Sequence, residues 1–353
     1  LPSYWASHPS HFLAPAFESD PAKRALLVLR WFLTSLRNQQ YGGRKEKDGV
    51  KKPLNAFLGE LFFAQGEDGT RLIAEQVSHH PPITACYLWN DQAGIRAEGF
   101  ACQEISFNGN VNVKQTGHAV LHLENFNENY LIPLPDVKVK GILTGTIYPE
   151  LDGKYYINSS VGFVSEIKFS GKGFLGGKRN SVHARLFRKE PVGDAKNLFT
   201  ISGQWNNELI VYEGDEKGCI IETINVPTLK SAPMYVEPLE EQDPWESHKA
   251  WAGVIAALNA GDMKKTVYEK SIVEEAQRQM RKKEAERGVN WEPLFFNRLQ
   301  TTRDPLVEDL AEEPVKEGLF SPRSGIWKFD HKKWNNGVEK PFHGLLTPNG
   351  GQI

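Results

Sequence analysis

The chain has 353 residues, 40% of them apolar and 11% aromatic, and its 42 Lys and Arg nearly balance 44 Asp and Glu, for a formal net charge of −2. That balance excludes a wholesale polyanion binder, which would be strongly basic, and nine Trp exclude a disordered acidic chain. Three cysteines, Cys86, Cys102 and Cys219, have the wrong parity for a disulfide framework, so a reducing, cytosolic compartment is expected.

The chain opens Leu-Pro-Ser-Tyr-Trp without a charged region followed by an apolar one, so no secretory signal is expected. The longest apolar run, Ala25 to Leu36, is too short to span a bilayer and carries Arg30. Pro21 to Arg37 predicts a helix with Leu26, Leu29, Leu33 and Leu36 on one face, followed by a polar, basic loop from Asn38 to Lys52.

From about Leu61 to Pro227 the pattern changes to short alternating segments. Ile83, Ala85, Tyr87 and Trp89 share one face of a strand that turns at Asp91 to Gly94. Further turns are marked by Asn108-Gly109, Asp152-Gly153 and Glu213-Gly214, at spacings that suit antiparallel hairpins. The fold class is therefore mainly β with helical flanks, a near-complete many-stranded antiparallel barrel, since curling toward closure avoids long exposed edges. The sequon Asn158-Ser159-Ser160 is expected to be idle.

A proline-punctuated acidic connector, Pro233 to Pro244, leads into a helix from about Glu246 to Asn259, with Trp251, Val254, Ile255 and Leu258 at helical spacing and Gly261 placed to stop it. A second, highly charged helix covers about Met263 to Arg287 and ends before Gly288. Acidic, proline-containing chain (Asp304 to Glu317) and a Trp- and Lys-bearing tail come after it. The expected division is 1–59 helical, 60–242 barrel and 243–353 helical.

Two motifs fail on context. Gly171, Gly173 and Gly176 satisfy GxGxxG, but a strand pattern follows where a dinucleotide site needs a helix, and Gly177 and Arg179 spoil a Walker loop. His118 and His122 stand four apart, yet alternate with Ala119, Leu121 and Leu123 as in a strand, so no metal site is expected. No nucleophile elbow or cofactor motif occurs, and neither a catalytic residue nor a cofactor is expected.

The segment Glu75-Gln76-Val77-Ser78-His79-His80-Pro81-Pro82 is different in kind. Pro81 drives His80 out of the helical region and Pro82 fixes the next step, which makes a stiff corner. Its two imidazoles either present two donors to an anion or cap neighbouring carbonyls in a rigid turn.

The octet EQVSHHPP resembles the fingerprint of the oxysterol-binding protein-related family of lipid transfer proteins, and Lys51-Lys52-Pro53-Leu54-Asn55-Ala56-Phe57-Leu58-Gly59-Glu60 resembles its KPLNPFLGE element, in the version of the short fungal homologues. The resemblance implies a tunnel inside the barrel, a phosphatidylinositol 4-phosphate headgroup site at its mouth and one lipid-binding domain in all. It implies that His79 and His80 bind the 4-phosphate, that Lys52, Leu54 and Asn55 hold the inositol phosphates, and that Glu60 orders that corner. Lys270, Glu274 and Arg278 match the family's basic-acidic-basic set. Spacing agrees, because positions four apart climb one helix face with about 40° of drift per step. In the tunnel the resemblance assigns Gln40 and Tyr41 to the sterol hydroxyl and Trp5 and Gln115 to the mouth and wall. The rival reading of Gln40-Tyr41 is a helix end before Gly42-Gly43.

Three departures stand out: Ala56 replaces a proline, Ala101 replaces an Asn that sterol-binding members offer to tunnel waters, and no room precedes Tyr4-Trp5 for the family's lid, so an open mouth is expected. The resemblance implies a non-enzymatic cytosolic carrier that takes sterol of the ergosterol type and phosphatidylinositol 4-phosphate in turn. Such a carrier would touch anionic endoplasmic-reticulum and Golgi-type membranes transiently, work as a monomer and bind no nucleic acid. Alternatives are a carrier of another lipid such as phosphatidylserine, or a phosphoinositide-responsive regulator or tether. The small net charge conceals +6 between Ala22 and Glu60 and −4 between Thr301 and Glu317, so a local basic face is available for anionic headgroups.

Overall fold

The computed structural model describes residues 2–48, 54–142, 145, 147–171, 178–189, 195–300, 303–311, 319 and 323–351. Lys52, Gly173, Gly176 and Gly177 lie outside the described residues.

A short helix, α1 (Pro9–Leu13), precedes the long α2 (Pro21–Tyr41). Asp20 caps α2 by accepting from the Ala22 and Lys23 amides, Pro21 sits where its missing N–H costs nothing, and Gly42 closes the helix in the left-handed region at φ 58°. The expected end at Arg37 is four residues early. Asn38 is buried and its amide donates to Ser7 Oγ at 3.0 Å, so a residue that reads as loop on paper is held helical by the N-terminal segment. Val28, Leu29, Trp31, Phe32, Leu33 and Leu36 are all buried, because α2 lies in the concavity of the sheet.

That sheet has 14 strands: β1 (Leu61–Gln65), β2 (Arg71–His79), β3 (Pro82–Asn90), β4 (Ile95–Phe107), β5 (Val111–Leu123), β6 (Glu128–Ile132), β7 (Val137–Lys140), β8 (Tyr148–Leu151), β9 (Gly153–Ser159), β10 (Phe163–Ser170), β11 (Ser181–Arg188), β12 (Asn197–Gln204), β13 (Glu208–Glu213) and β14 (Ile220–Asn225). Every strand pairing is antiparallel and the order is sequential, except that the β7–β8 hairpin sits on the far half of β5 while β6 pairs with β9. The expected near-complete barrel is present, and among the described residues it stays open. The path ends at β1 and β14 in a barrel-like, open sheet, and the edge of β1 is covered by single bridges to Tyr235 and Glu246.

The inner faces of the strands pack on α2 through residues such as Leu72, Leu88, Leu121, Ile167 and Ile201. The outer face of β2–β4 is buried as well. Ile83, Ala85, Tyr87 and Trp89 share a face as expected, and it is covered by α3 (Ser247–Ala250), α4 (Ala252–Asn259), α5 (Met263–Arg287) and the small sheet of β15 (Phe296–Arg298) with β16 (Trp327–Phe329). Tyr87 stacks on Phe329 with centroids 4.1 Å apart. Val120 and Leu131 are covered by α6 (Pro305–Leu310), and α7 (His331–Asn336) sets Trp334 edge-on to Trp89.

The helix expected from Glu246 to Asn259 is two, broken at Trp251, which leaves helical geometry with ψ 8°. The charged helix has the expected bounds: Asp262 caps it by accepting from Lys265 and Gly288 ends it in the left-handed region. Asn158 of the sequon is buried and donates to the Leu310 carbonyl at 2.7 Å, which leaves it inaccessible in the folded chain. His118 and His122 lie on β5, and the described residues contain no cluster of metal-ligating side chains.

Candidate headgroup site at the β2–β3 corner

The octet divides into residues that build the corner and residues that present it. Glu75 is fully buried and accepts from the amides of Leu294 and Phe295 at 2.8 and 2.9 Å, tying β2 to the C-terminal part; burial pushes its carboxyl up to about 7. Gln76 donates to the Ser78 carbonyl at 2.9 Å and accepts from Thr84 at 2.6 Å. Between Gln76 and Ser78 the pairing with β3 slips, and such a bulge re-aims the residues after it. Beyond the bulge His79 ends β2 and His80 follows it into the turn, with ring centroids 4.6 Å apart and His80 exposed.

The 54–60 loop is fastened beside them. Gly59 donates to the Gln76 carbonyl and Gln76 to the Glu60 carbonyl, both at 2.9 Å, while Phe57 is wedged between Trp245 and Trp251. Glu60 accepts from Ser247 Oγ at 2.7 Å and Trp251 Nε1 at 2.9 Å, and burial raises its pKa. Its carboxylate is spent on the scaffold. Leu54 and Asn55 are exposed on this loop, and the Ala56 carbonyl lies 3.2 Å from His79 Nδ1. Gly59 has φ +83°, and a Cβ there would stand 2.2 Å from Trp291. Gly59→Ala is expected to cost about 1–3 kcal/mol of stability by overpacking, measured as a lower urea midpoint.

Lys270 and Glu274 are half-buried on α5 and form an ion pair. Glu274 lies near enough to His79 to favour its charged form, although burial and the neighbouring His80 and Arg281 hold the imidazole below its usual range. Arg278 is placed differently: its guanidinium donates to Glu275 at 3.1 Å and its side chain is 69% exposed. Arg281, further along α5, lies over the Trp291 ring at 4.9 Å.

The tunnel candidates fall in two layers. Trp5 packs on Trp31 at 5.3 Å, and Tyr41 lies 6.3 Å from Trp205 at the C-terminal end of α2, where burial pushes its phenol up to about 12. Gln40 is half-buried in the last turn of the helix, so it and Tyr41 are indeed a helix end before Gly42. Gln115 belongs to β5, where its side-chain nitrogen donates to the Pro135 carbonyl at 2.6 Å and its amide to Asp136. No described contact joins Gln115 to Trp5 or Tyr41 in one polar cluster.

Comparison with known proteins agrees with this geometry. The family model described as oxysterol-binding protein matches residues 6–253. The chain is 52% identical over 354 residues to the probable transporter efuK of Hormonema carpetanum, covering 99% of this chain and 50% of that one, so it spans about half the length of that relative. It is 38% identical to protein kes1 of Schizosaccharomyces pombe, over 90% of this chain and 84% of that protein. In fold it is similar to the Osh1 ORD domain in complex with cholesterol, at a TM-score of 0.70 and 20% identity over 95% of this chain and 80% of the other. The Osh3 ORD in complex with PI(4)P from Saccharomyces cerevisiae aligns at a TM-score of 0.69 and 19% identity, over 95% and 83% of the two chains. A corner that holds two adjacent imidazoles against the 54–60 loop, the match over residues 6–253 and the 38% identity to kes1 lead to one conclusion: this chain is a member of the oxysterol-binding protein family.

Proposed function

We propose that the chain is a lipid carrier that takes sterol and phosphatidylinositol 4-phosphate in turn and exchanges them between membranes. The observation that carries this reading is the His79–His80 pair, two rings 4.6 Å apart on a bulged corner, with Glu274 of α5, itself paired to Lys270, near His79. Two imidazoles and an ammonium suit a phosphate monoester, whose charge-assisted hydrogen bonds are stronger than neutral ones. The ligands named for Osh1, cholesterol and ergosterol, and for Osh3, PI(4)P, support the choice of lipids. Lys52, Leu54 and Asn55 belong to the inositol side of this proposal, and Arg278 enters only by its position in the family pattern. Trp5, Gln40, Tyr41 and Gln115 belong to the sterol side. The reading needs no covalent step.

Contact with anionic membranes of the endoplasmic-reticulum or Golgi type, by a cytosolic monomer, belongs to the same proposal. It is supported by the α4–α5 corner, where Leu258, Met263, Val267 and Tyr268 are exposed beside Lys264 and Lys265. No described helix is long and apolar enough to cross a membrane.

The test is transfer of a fluorescent sterol between vesicles. Its rate is expected to rise several-fold when the acceptor contains phosphatidylinositol 4-phosphate, since that lipid takes the sterol's place in the carrier at the acceptor and keeps the sterol from being carried back; a rate indifferent to that lipid would sink the exchange reading. One observation favours a second cargo. The Gln115 nitrogen is already bonded to Pro135 and Ala101 has no polar side-chain atom, so fewer groups remain for a sterol hydroxyl. A carrier of phosphatidylserine or another lipid would show that lipid, and no sterol, in extraction from mixed vesicles.

A further inference from the structure

We propose that His343 is a positioning residue for the headgroup site: its ring spaces the indoles of Trp245 and Trp291 and, through them, sets the 54–60 loop beside the histidine corner. The inference rests on the headgroup reading above and deepens it by naming a control on that site outside the residues that would touch the ligand.

Three rings pack against one another. The His343 imidazole has its centroid 4.4 Å from Trp245 and 4.6 Å from Trp291, and the two indoles are 5.1 Å apart. Each indole also meets the loop: Phe57 lies 5.9 Å from Trp245, and Trp291 stands so close to Gly59 that a Cβ there would be 2.2 Å from it. Gly59 in turn donates to the Gln76 carbonyl at 2.9 Å, three positions before His79. From His343 to the corner there are thus two ring contacts and one backbone hydrogen bond.

Packing, rather than directed bonds, spaces these rings. Trp291 Nε1, His343 Nε2, and Nε and Nη1 of Arg281, whose guanidinium lies over Trp291, are buried without a hydrogen-bond partner among the described residues. Burial pushes the His343 imidazole down to about 4, so it is a neutral, flat spacer at neutral pH. The segment that carries it is fastened on both sides. The Phe342 amide donates to Asp243 at 2.9 Å and Lys340 pairs with Glu246 at 3.0 Å; beyond the ring, Trp245 Nε1 donates to the Leu346 carbonyl at 2.8 Å and Gln277 of α5 to the Pro348 carbonyl at 2.9 Å. These anchors fix how deeply the imidazole enters, and a close-packed contact passes a displacement on to its neighbours.

The effect falls on one ligand because the protein has separate cores. Phe57, Trp245 and Trp251 belong to the outer one, against which Trp291 and Phe342 pack. Trp31 and Tyr41 belong to the inner one, with Trp5 packed against it. A ring removed from the outer core loosens the 54–60 loop, while the sterol-side residues keep their neighbours. The competing reading is that the 340–350 segment only shields the outer core from water.

The test uses the full chain and titration with water-soluble dioctanoyl phosphatidylinositol 4-phosphate and with a fluorescent sterol, alongside thermal melting and hydrogen exchange of the peptide that contains Phe57 and Gly59. His343→Ala is expected to weaken the short-chain lipid about five- to tenfold, to leave sterol affinity within about twofold and to quicken exchange in that peptide. His343→Phe, which restores a flat ring, is expected to recover most of the loss. His343→Leu fills the volume without a flat face, so it keeps the test open should the Ala variant fold poorly, and it is expected to weaken the lipid about threefold or more. Unchanged lipid affinity in the Ala and Leu variants, equal loss of sterol and lipid, or a Phe variant no better than Ala would overturn the inference while leaving the headgroup reading standing. Failure of the unaltered chain to bind the short-chain lipid would overturn both.

Discussion

Replacing His79 and His80 together by Ala is expected to reduce affinity for phosphatidylinositol 4-phosphate by roughly a hundredfold or more while leaving sterol affinity within about twofold. Each imidazole that donates to a phosphate oxygen contributes about 1.5–3 kcal/mol, and two such bonds are removed. The fold should tolerate the change. His80 is exposed, and the only described protein hydrogen bond of the pair joins His79 Nδ1 to the Ala56 carbonyl at 3.2 Å. Titration with short-chain phosphoinositide and a fluorescent sterol, on the same preparation, separates the outcomes. Equal loss of both ligands would make the pair a structural turn.

The same pair predicts a pH dependence. His79 is held below its usual range by burial, by the neighbouring His80 and by Arg281, so its ring is neutral in the free protein at neutral pH. A bound phosphate favours the imidazolium and raises that pKa, so binding takes up a proton. Affinity is therefore expected to increase as pH falls from about 8 to about 6.5, before the phosphate itself begins to protonate near its second pKa of about 6. In the double alanine variant the slope should flatten.

The second large effect concerns the scaffold. Arg24→Met is expected to destabilise the chain by about 3–5 kcal/mol, measured by urea unfolding. Arg24 and Glu128 are both buried and paired through two nitrogen–oxygen contacts. The guanidinium also donates to the carbonyls of Glu18 and Ser19 at 2.9 and 2.7 Å, lies 3.8 Å from the Phe126 ring, and Tyr130 donates to Glu128 at 2.8 Å. Removing the cation leaves a buried carboxylate with Tyr130 as its remaining described partner. Adding Glu128→Gln removes that charge while keeping an acceptor for Tyr130, so the double variant is expected to recover at least half of the loss. A single variant within about 1 kcal/mol of the original would show that water reaches the pair.

The charged helix was legible to the residue, because Asp262 and Gly288 are cap signals that act locally. The end of α2 was not. Asn38 has weak helical preference, and the helix continues through it because Ser7 and His8 meet its side chain across the fold at 3.0 and 3.3 Å. The break at Trp251 was equally hidden, since helical spacing of Trp251, Val254 and Leu258 continues through it; the indole turns out to donate to Glu60, 191 positions earlier in the chain, at 2.9 Å.

The candidate site shows the same division. His79 and His80 could be singled out because two prolines stiffen the residues beside them, a constraint carried by covalent geometry alone. The spacing of Lys270 and Glu274 placed both on one helix face for the same reason. The surroundings of the two arginines are a different kind of question: Arg278 and Arg281 differ by three positions, yet Arg278 meets Glu275 in the open while Arg281 meets Glu284 and Trp291.

By itself, then, the sequence determined the run of strands, the capped charged helix, the stiff histidine corner and, through EQVSHHPP, the family, all of which depend on near neighbours in the chain. Only the tertiary structure decided that the sheet stays open, that Glu60 and Glu75 are scaffold carboxylates, that Gln115 is bonded to Pro135 and that Arg281 has buried donors without partners among the described residues. Burial and hydrogen-bond satisfaction are set by residues scores or hundreds of positions apart, and no periodicity along the chain encodes which of them meet.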